Sequence, residues 1–271
     1  MPLLHPNINP VIISLWGPFQ ITWYSLLYVG GFLLARTILK RLAREDRFQF
    51  TSAQMDDFGM WLLIGGVVGA RIVYCVVYDF STFIANPLWL FQTYKGGLSF
   101  HGGLIGTIIA ALIFAKKNKI PFWNLADGMA LATPTGLAMG RLGNFINGEL
   151  FGRQTTMPWG MIFRQGGPII RHPSQLYEFF LEGVLLFGVL WFLKNRLTKD
   201  GQISIVFLIG YTFTRFIVEF FRQPDVHLGY FFLGLSMGQI LSLIQLLAGL
   251  ILAWILTKEK NDSTDSNKNR S

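Results

Sequence analysis

The chain has a single cysteine, Cys75, among its 271 residues, and Asp, Glu, Lys and Arg together make up only 14%. One cysteine excludes an intrachain disulfide and a cysteine metal cluster. Set in an apolar run, its thiol stays protonated and makes a poor nucleophile. A soluble domain carries about 25% charged residues, so the deficit excludes an ordinary water-facing surface. The four histidines His5, His101, His172 and His227 lie far apart and form no zinc-binding spacing. No lysine or arginine precedes Arg36, which excludes the basic start of a cleavable signal peptide. The expectation is a mature chain beginning at Met1, with its first span acting as the insertion signal. Walker and dinucleotide fingerprints are absent from any suitable context. No internal repeat is visible either, which removes the usual support for an inverted-repeat transporter.

What is present is apolar: 52% of the residues are hydrophobic. Seven stretches are candidate membrane spans, 17–39, 58–78, 97–115, 121–140, 175–193, 203–221 and 232–256. Each is long enough for a hydrocarbon core of roughly 30 Å at about 1.5 Å per helical residue. The predicted fold is all-α, a polytopic bundle of about seven transmembrane helices with a short extracytoplasmic loop region. Residues 1–257 form one transmembrane catalytic domain in this reading, with an irregular outer loop at about 145–173. Residues 258–271 form a polar, disordered cytoplasmic tail. The segment Asn86–Thr93, with Pro87, Trp89 and Phe91, suits a short interfacial stretch. Cations concentrate at Lys40–Arg47, Lys116–Lys119, Lys194–Lys199 and from Lys258 onward, so alternate loops are basic. This puts the N-terminus outside and the C-terminus in the cytoplasm. It also accounts for the net charge of +8 without nucleic acid as a partner.

Polar residues that are costly near hydrocarbon gather at one depth. His101 lies near the outer start of the third span, and Tyr24 in the outer part of the first. Arg141, Asn144, Asn147 and Glu149 lie at the outer end of the fourth, within the stretch Gly140–Arg153. Tyr211, Arg215, Glu219 and Arg222 follow at spacings of four, four and three, one stripe of the sixth helix. Two arginines against one glutamate leave net positive charge, suited to an anionic group. An internal Arg215–Glu219 salt bridge that only holds the bundle is the other reading. Glu178 and Glu182, four apart, are placed to line the same cavity, and Ser174 is a candidate N-cap. His101, followed by two glycines that leave it uncrowded, is either a general base or a helix-end packing residue.

Glycines recur at Gly65/Gly69, Gly102/Gly106, Gly136/Gly140 and Gly234/Gly238, the spacing of close helix packing. The last pair frames Ser236 in a G-x-S-x-G match, but a nucleophile elbow needs a strand–turn–helix context. Packing is the reading here too. An intramembrane peptidase built on Ser236 and a transporter for an anionic lipid remain the competing functions.

Gly140–Arg153 closely resembles the signature of bacterial prolipoprotein diacylglyceryl transferases. The similarity continues through Trp23-Tyr24, Ser99–Leu104, Arg171–Glu178 and Glu219–Asp225, blocks that run in family order from about residue 7 to 256. The resemblance implies an enzyme of the bacterial cytoplasmic membrane acting in lipoprotein biosynthesis. It would transfer the diacylglyceryl group of phosphatidylglycerol to the lipobox cysteine of a prolipoprotein signal peptide, releasing glycerol 1-phosphate. The resemblance also implies a site containing Tyr24, His101, Arg141, Asn144, Glu149, Gly152, Tyr211, Arg215, Glu219 and Arg222, with no metal or organic cofactor. Some members carry a longer insertion between the segments matching Phe151 and Arg171, where this chain has about twenty residues.

That reaction suggests roles. The leaving group is a phosphate monoester, which arginine can hold with two parallel hydrogen bonds. Arg141 and Arg215 are the expected phosphate ligands, with Arg222 at the rim. His101 is the first candidate to take the thiol proton, and Glu149 or Glu219 the second. Asn144 and Tyr24, with Asn147 nearby, are placed to orient ester carbonyls or glycerol hydroxyls. Gly152 is expected to give the backbone room rather than to contact substrate.

Overall fold

The fold is that of a computed structural model and is described for residues 3–15, 20–223, 231 and 234–268, leaving aside the side chains of Thr257 and 259–268. Pro224, Asp225 and His227, named above, lie outside the described residues, as do the first residues of the first and seventh predicted spans. In chain order the strands are β1 (Leu3–Leu4), β2 (Val11–Ser14), β3 (Gln20–Thr22), β4 (Met161–Ile162) and β5 (Ile170–Arg171). The first helices are α1 (Trp23–Leu42), α2 (Ser52–Val73, prolonged by a π-helical turn over Tyr74–Tyr78) and α3 (Phe80–Ala85). They are followed by α4 (Phe100–Asn118), α5 (Phe122–Asn147) and α6 (Ser174–Glu178, continued by a π-helical turn over Phe179–Leu185). The last are α7 (Leu186–Leu193), α8 (Gln202–Glu219) and α9 (Met237–Lys268).

The protein is mainly helical, and five of its described helical segments are long and apolar enough to cross a membrane. They are Ser52–Tyr78, Phe100–Asn118, Ser174–Leu193, Gln202–Glu219 and Met237–Leu256, of which only 17–28% is buried within the protein. Their outward faces carry Leu63, Ile64, Val67, Ile109, Phe213 and Leu247, side chains that water does not favour and lipid does. This is the architecture of a multi-pass membrane protein. The other two predicted spans are helices, α1 and α5, but polar residues keep them out of that set. α5 also runs to Asn147 instead of ending at 140, so Arg141, Asn144 and Asn147 are all helical residues.

Three further expectations change. The outer loop at 145–173 is not irregular: β4 pairs antiparallel with β5 and parallel with β1 in a small sheet. Strands of two residues leave no alternation to read, and this sheet, with the β2–β3 hairpin, means the fold is not purely helical. The backbone of α9 stays helical to Lys268, into the stretch whose composition suggests disorder. Extending a formed helix costs far less than starting one.

The chain divides into two compact units, one of residues 1–38 with 129–271 and one of residues 39–128. In the second, Thr51 and Gln54 form a reciprocal capping box that starts α2. The Gly65/Gly69 and Gly102/Gly106 pairs then form the α2–α4 seam. A Cβ on Gly69 would lie 2.7 Å from Gly106 Cα, and one on Gly65 would lie 2.7 Å from the Gly106 carbonyl. Phe58 and Phe114 close the seam with ring centroids 4.9 Å apart. Gly102 is thus fixed by packing, not by a need to clear space around His101. Lys119, at φ 58°, ends α4 in the tight turn expected of the basic loop.

Candidate active site

The first unit gathers charges from α5, from α6 with its π-helical turn, from α8, and from Arg222 just after α8. Glu178 is 1% exposed and receives Arg141 Nε at 2.5 Å and Arg215 Nη1 at 3.2 Å on Oε2, and Arg222 Nη1 at 2.7 Å on Oε1. Glu219 Oε2 lies 3.1 Å from Arg215 Nη2 and 3.3 Å from Arg222 Nε. Glu182 is fully buried, its oxygens 3.7 Å from Arg215 Nη1 and 3.8 Å from Arg141 Nη2, and neither accepts a hydrogen bond.

The stripe therefore does not stand free as the sequence suggests, and Arg222 lies just past the end of α8. The Arg215–Glu219 pair forms, and Glu178 and Glu182 bring the set to three arginines and three carboxyl groups. Replacing such a cluster with apolar side chains often costs no stability, whereas removing one member leaves a buried charge unpaired.

A second polar group sits where α5 ends. Asn144 Nδ2 and Asn147 Nδ2 donate to Glu149 Oε1 at 2.9 and 3.2 Å. The turn that brings the carboxylate back over the helix end needs left-handed backbone at Gly148 (φ 68°) and Leu150 (φ 56°). Gln175 Nε2 donates to the Glu149 carbonyl at 2.6 Å. Gln175 lies three residues before Glu178, so the same short helix holds both polar groups. His5 closes the turn from another side, donating through Nε2 to the Phe145 carbonyl at 2.5 Å and stacking on Phe163.

Gly152 has no room for a side chain. Its N–H donates to the His172 carbonyl at 2.8 Å, and it pairs with Arg222 in an isolated antiparallel bridge. A Cβ there would lie 2.8 Å from His172 Cβ and would run into the Phe221 carbonyl oxygen. Arg153, next along, donates Nε to the Arg222 carbonyl at 2.6 Å and Nη2 to the Glu219 carbonyl at 3.1 Å. Together these contacts tie the Gly140–Arg153 stretch to the end of α8. Tyr24 lies across α5, where a Cβ on Gly143 would come within 2.8 Å of Tyr24 Cδ2. Tyr211 stands one turn before Arg215 and stacks on Phe207 with centroids 6.0 Å apart. Below Tyr24, an apolar cavity of about 340 Å³ runs between α1 and α5, lined by Tyr28, Gly31, Phe32, Ala132 and Gly136.

Ten of the eleven predicted site residues thus fall in the first unit. His101 is in the second, exposed on the first turn of α4, its ring edge-on to Phe100. The family model for prolipoprotein diacylglyceryl transferase matches residues 10–255 of this chain. The chain belongs to that family.

Among similar proteins is the phosphatidylglycerol–prolipoprotein diacylglyceryl transferase of Coxiella burnetii, 46% identical over 95% of this chain and 99% of its own length. Those of Idiomarina loihiensis and Vibrio vulnificus are 47% and 49% identical, with 91% and 92% of this chain covered and 92% of each relative. The match to the diacylglyceryl transferase family takes in both charged groups.

Sequence reasoning underrated Glu178 and Glu182 and missed Gln175 and Arg153. The signal for Gln175, Glu178 and Glu182 was their spacing of three and four on an otherwise apolar helix. Ser236 resolves differently. Gln239 N–H donates to its Oγ at 3.2 Å while Gln239 Oε1 accepts from its N–H at 3.0 Å, a capping box that starts α9. Ser236 Oγ also donates to Glu219 Oε1 at 3.0 Å, which makes it a supporting contact of the charged cluster. Gly238 leaves room for that carboxylate, since a Cβ there would lie 2.6 Å from Glu219 Cδ.

Proposed function

We propose that this transferase moves the sn-1,2-diacylglyceryl group of phosphatidylglycerol to the lipobox cysteine thiol of prolipoproteins. In this reading a thioether forms and glycerol 1-phosphate leaves, the first step of lipoprotein maturation. The C–O bond between the diacylglyceryl carbon and the phosphate oxygen breaks, a C–S bond forms, and the thiol proton passes to a base. The observation that carries the proposal is the set of three half-buried arginines, two of which, Arg141 and Arg215, share one oxygen of the buried Glu178. A phosphate arriving there exchanges carboxylate contacts for its own. The fixed guanidinium groups then meet the charge that grows on the leaving oxygen, a contribution of about 3–4 kcal/mol per well-placed donor.

Glu149, fixed by Asn144 and Asn147, stands beside this set as the second candidate acid–base group. Tyr24 and Asn144 orient the glycerol backbone, and the α1–α5 cavity takes an acyl chain. His101 remains our first assignment for the base. Glu219, paired with Arg215 and Arg222, and Gly152, bridged to Arg222, complete the site, with Tyr211 one turn before Arg215. With α1 and α5 counted as spans, seven helices cross the cytoplasmic membrane, the N-terminus outside and the C-terminus inside, in keeping with the alternating basic loops.

The test is purified enzyme with phosphatidylglycerol and a lipobox peptide, following glycerol phosphate and peptide mass. Release that requires the peptide cysteine, with a diacylglyceryl mass gain, is expected. Lipid uptake or flipping without release would favour transport instead.

A further inference from the structure

Arg71, on the last turn of α2, is 2% exposed, yet among the described residues no carboxylate pairs with it. Its charge is met by main-chain oxygens. Nε donates to the Leu90 carbonyl at 3.0 Å, Nη1 to Gly96 and Gly97 at 2.7 and 2.9 Å, and Nη2 to Trp89 at 2.5 Å. Four of the five guanidinium N–H groups are thereby used. The group also lies over the Trp89 ring, 4.8 Å from its centroid. This saturation leaves Arg71 little capacity for a substrate anion. What it does instead is gather onto one point of α2 two carbonyls of the 3₁₀ turn Pro87–Phe91 and those of the two glycines that follow the next such turn, Thr93–Lys95.

The end of that segment is the start of α4. Ser99 N–H donates to the carbonyl of Ala70, the neighbour of Arg71, at 3.0 Å. Ser99 then caps α4, its Oγ accepting from Gly102 N–H at 3.3 Å and its carbonyl from Gly103 N–H at 2.9 Å. His101 lies within this capped turn. The two glycines suit the anchor: Gly96 and Gly97 have φ of 85° and 81°, and a Cβ on Gly97 would lie 2.8 Å from Arg71 Nη1 and 2.7 Å from Tyr74 Cζ. We propose that Arg71 is a positioning residue for the transfer reaction, fixing the turn that presents His101. The inference rests on the reading of His101 as the base.

The experiment uses the full-length enzyme and the variants Arg71→Lys, Gly97→Ala and His101→Gln, with turnover and amide exchange measured on the same samples. Lysine keeps the charge but not the planar fork. A misplacement near 1 Å can cost about 100-fold in rate, so Arg71→Lys is expected to lower kcat by roughly 10- to 100-fold. KM for phosphatidylglycerol should stay within about twofold, because only the timing of proton transfer is impaired. Faster exchange should appear at Ser99, Gly102 and Gly103, with the α2–α4 seam still protected. Gly97→Ala should repeat the pattern, and carries the test if Arg71→Lys does not fold. Unchanged kcat with His101→Gln inactive would overturn the role of Arg71 alone. Loss expressed in KM, or unchanged exchange at Ser99, would overturn it as well. Normal turnover by His101→Gln would overturn the base assignment and, with it, this inference.

Discussion

The Gly152→Ala variant isolates how geometry serves the site, because it adds one methyl group and no charge. Carbon atoms in contact rest about 3.5–4.0 Å apart, whereas a Cβ at residue 152 would lie 2.8 Å from His172 Cβ and 2.9 Å from the His172 carbonyl oxygen. The backbone at residue 152 must therefore move by about 1 Å to restore ordinary carbon contact. Two hydrogen bonds resist, Gly152 N–H to His172 at 2.8 Å and Arg153 N–H to Phe221 at 2.9 Å, and the second leads directly to the backbone that carries Arg222. Overpacking of this kind costs about 1–3 kcal/mol of stability, and a 1 Å error in a positioned group costs about 100-fold in rate. Turnover is expected to fall about 100-fold while the protein remains inserted and folded. Gly188→Ala is the matched control, since nothing lies within 4 Å of its Cβ position on α7. Glycerol phosphate release and thermal unfolding in detergent measure both variants. Wild-type turnover by Gly152→Ala, or an equal loss in Gly188→Ala, would refute the steric argument.

Arg141→Ala should abolish transfer in a folded, membrane-inserted protein; wild-type turnover by that variant would remove the phosphate-holding role. Glu178→Gln, the same shape without the charge, removes the carboxylate shared by Arg141, Arg215 and Arg222. It should destabilise the protein by about 3–5 kcal/mol, the cost of breaking a buried ion pair, and unfolding at wild-type temperature would contradict this. His172, outside the spanning segments, is held below its ordinary pKa of 6.5 by burial. The unfolded chain binds that proton more readily, so stability is full above pH 6.5 and falls as the pH drops toward the folded-state value. His172→Gln should therefore lose less stability than wild type between pH 7 and about pH 5. Equal slopes in unfolding scans would rule out this contribution.

Much of the site was legible because hydrocarbon makes polar residues conspicuous. Arg141, Asn144, Glu149, Arg215, Glu219 and Arg222 stand out in apolar surroundings, and the spacing of the last three is helical. Arg71 is no less polar, but its partners are carbonyl oxygens, which every residue has, so no side-chain pattern marks them. Gly152 followed from family resemblance, while its reason, contact with His172 and Phe221, needed coordinates. The small β1–β4–β5 sheet was invisible because its strands are too short to alternate.

The sequence alone determined that this is a helical membrane protein of the diacylglyceryl transferase family. Hydropathy and charge are properties of each segment by itself, and the motifs lie in contiguous blocks. Only the tertiary structure decided which carboxyl groups meet the arginines. Glu178 and Glu182 lie far along the chain from Arg141 and Arg215, and their approach, near 3 Å for Glu178 and 3.7–3.8 Å for Glu182, sets carboxyl groups against a stripe that reads as cationic in the sequence. Pairing depends on which helix faces meet, and that follows from the packing of the whole unit rather than from any one segment.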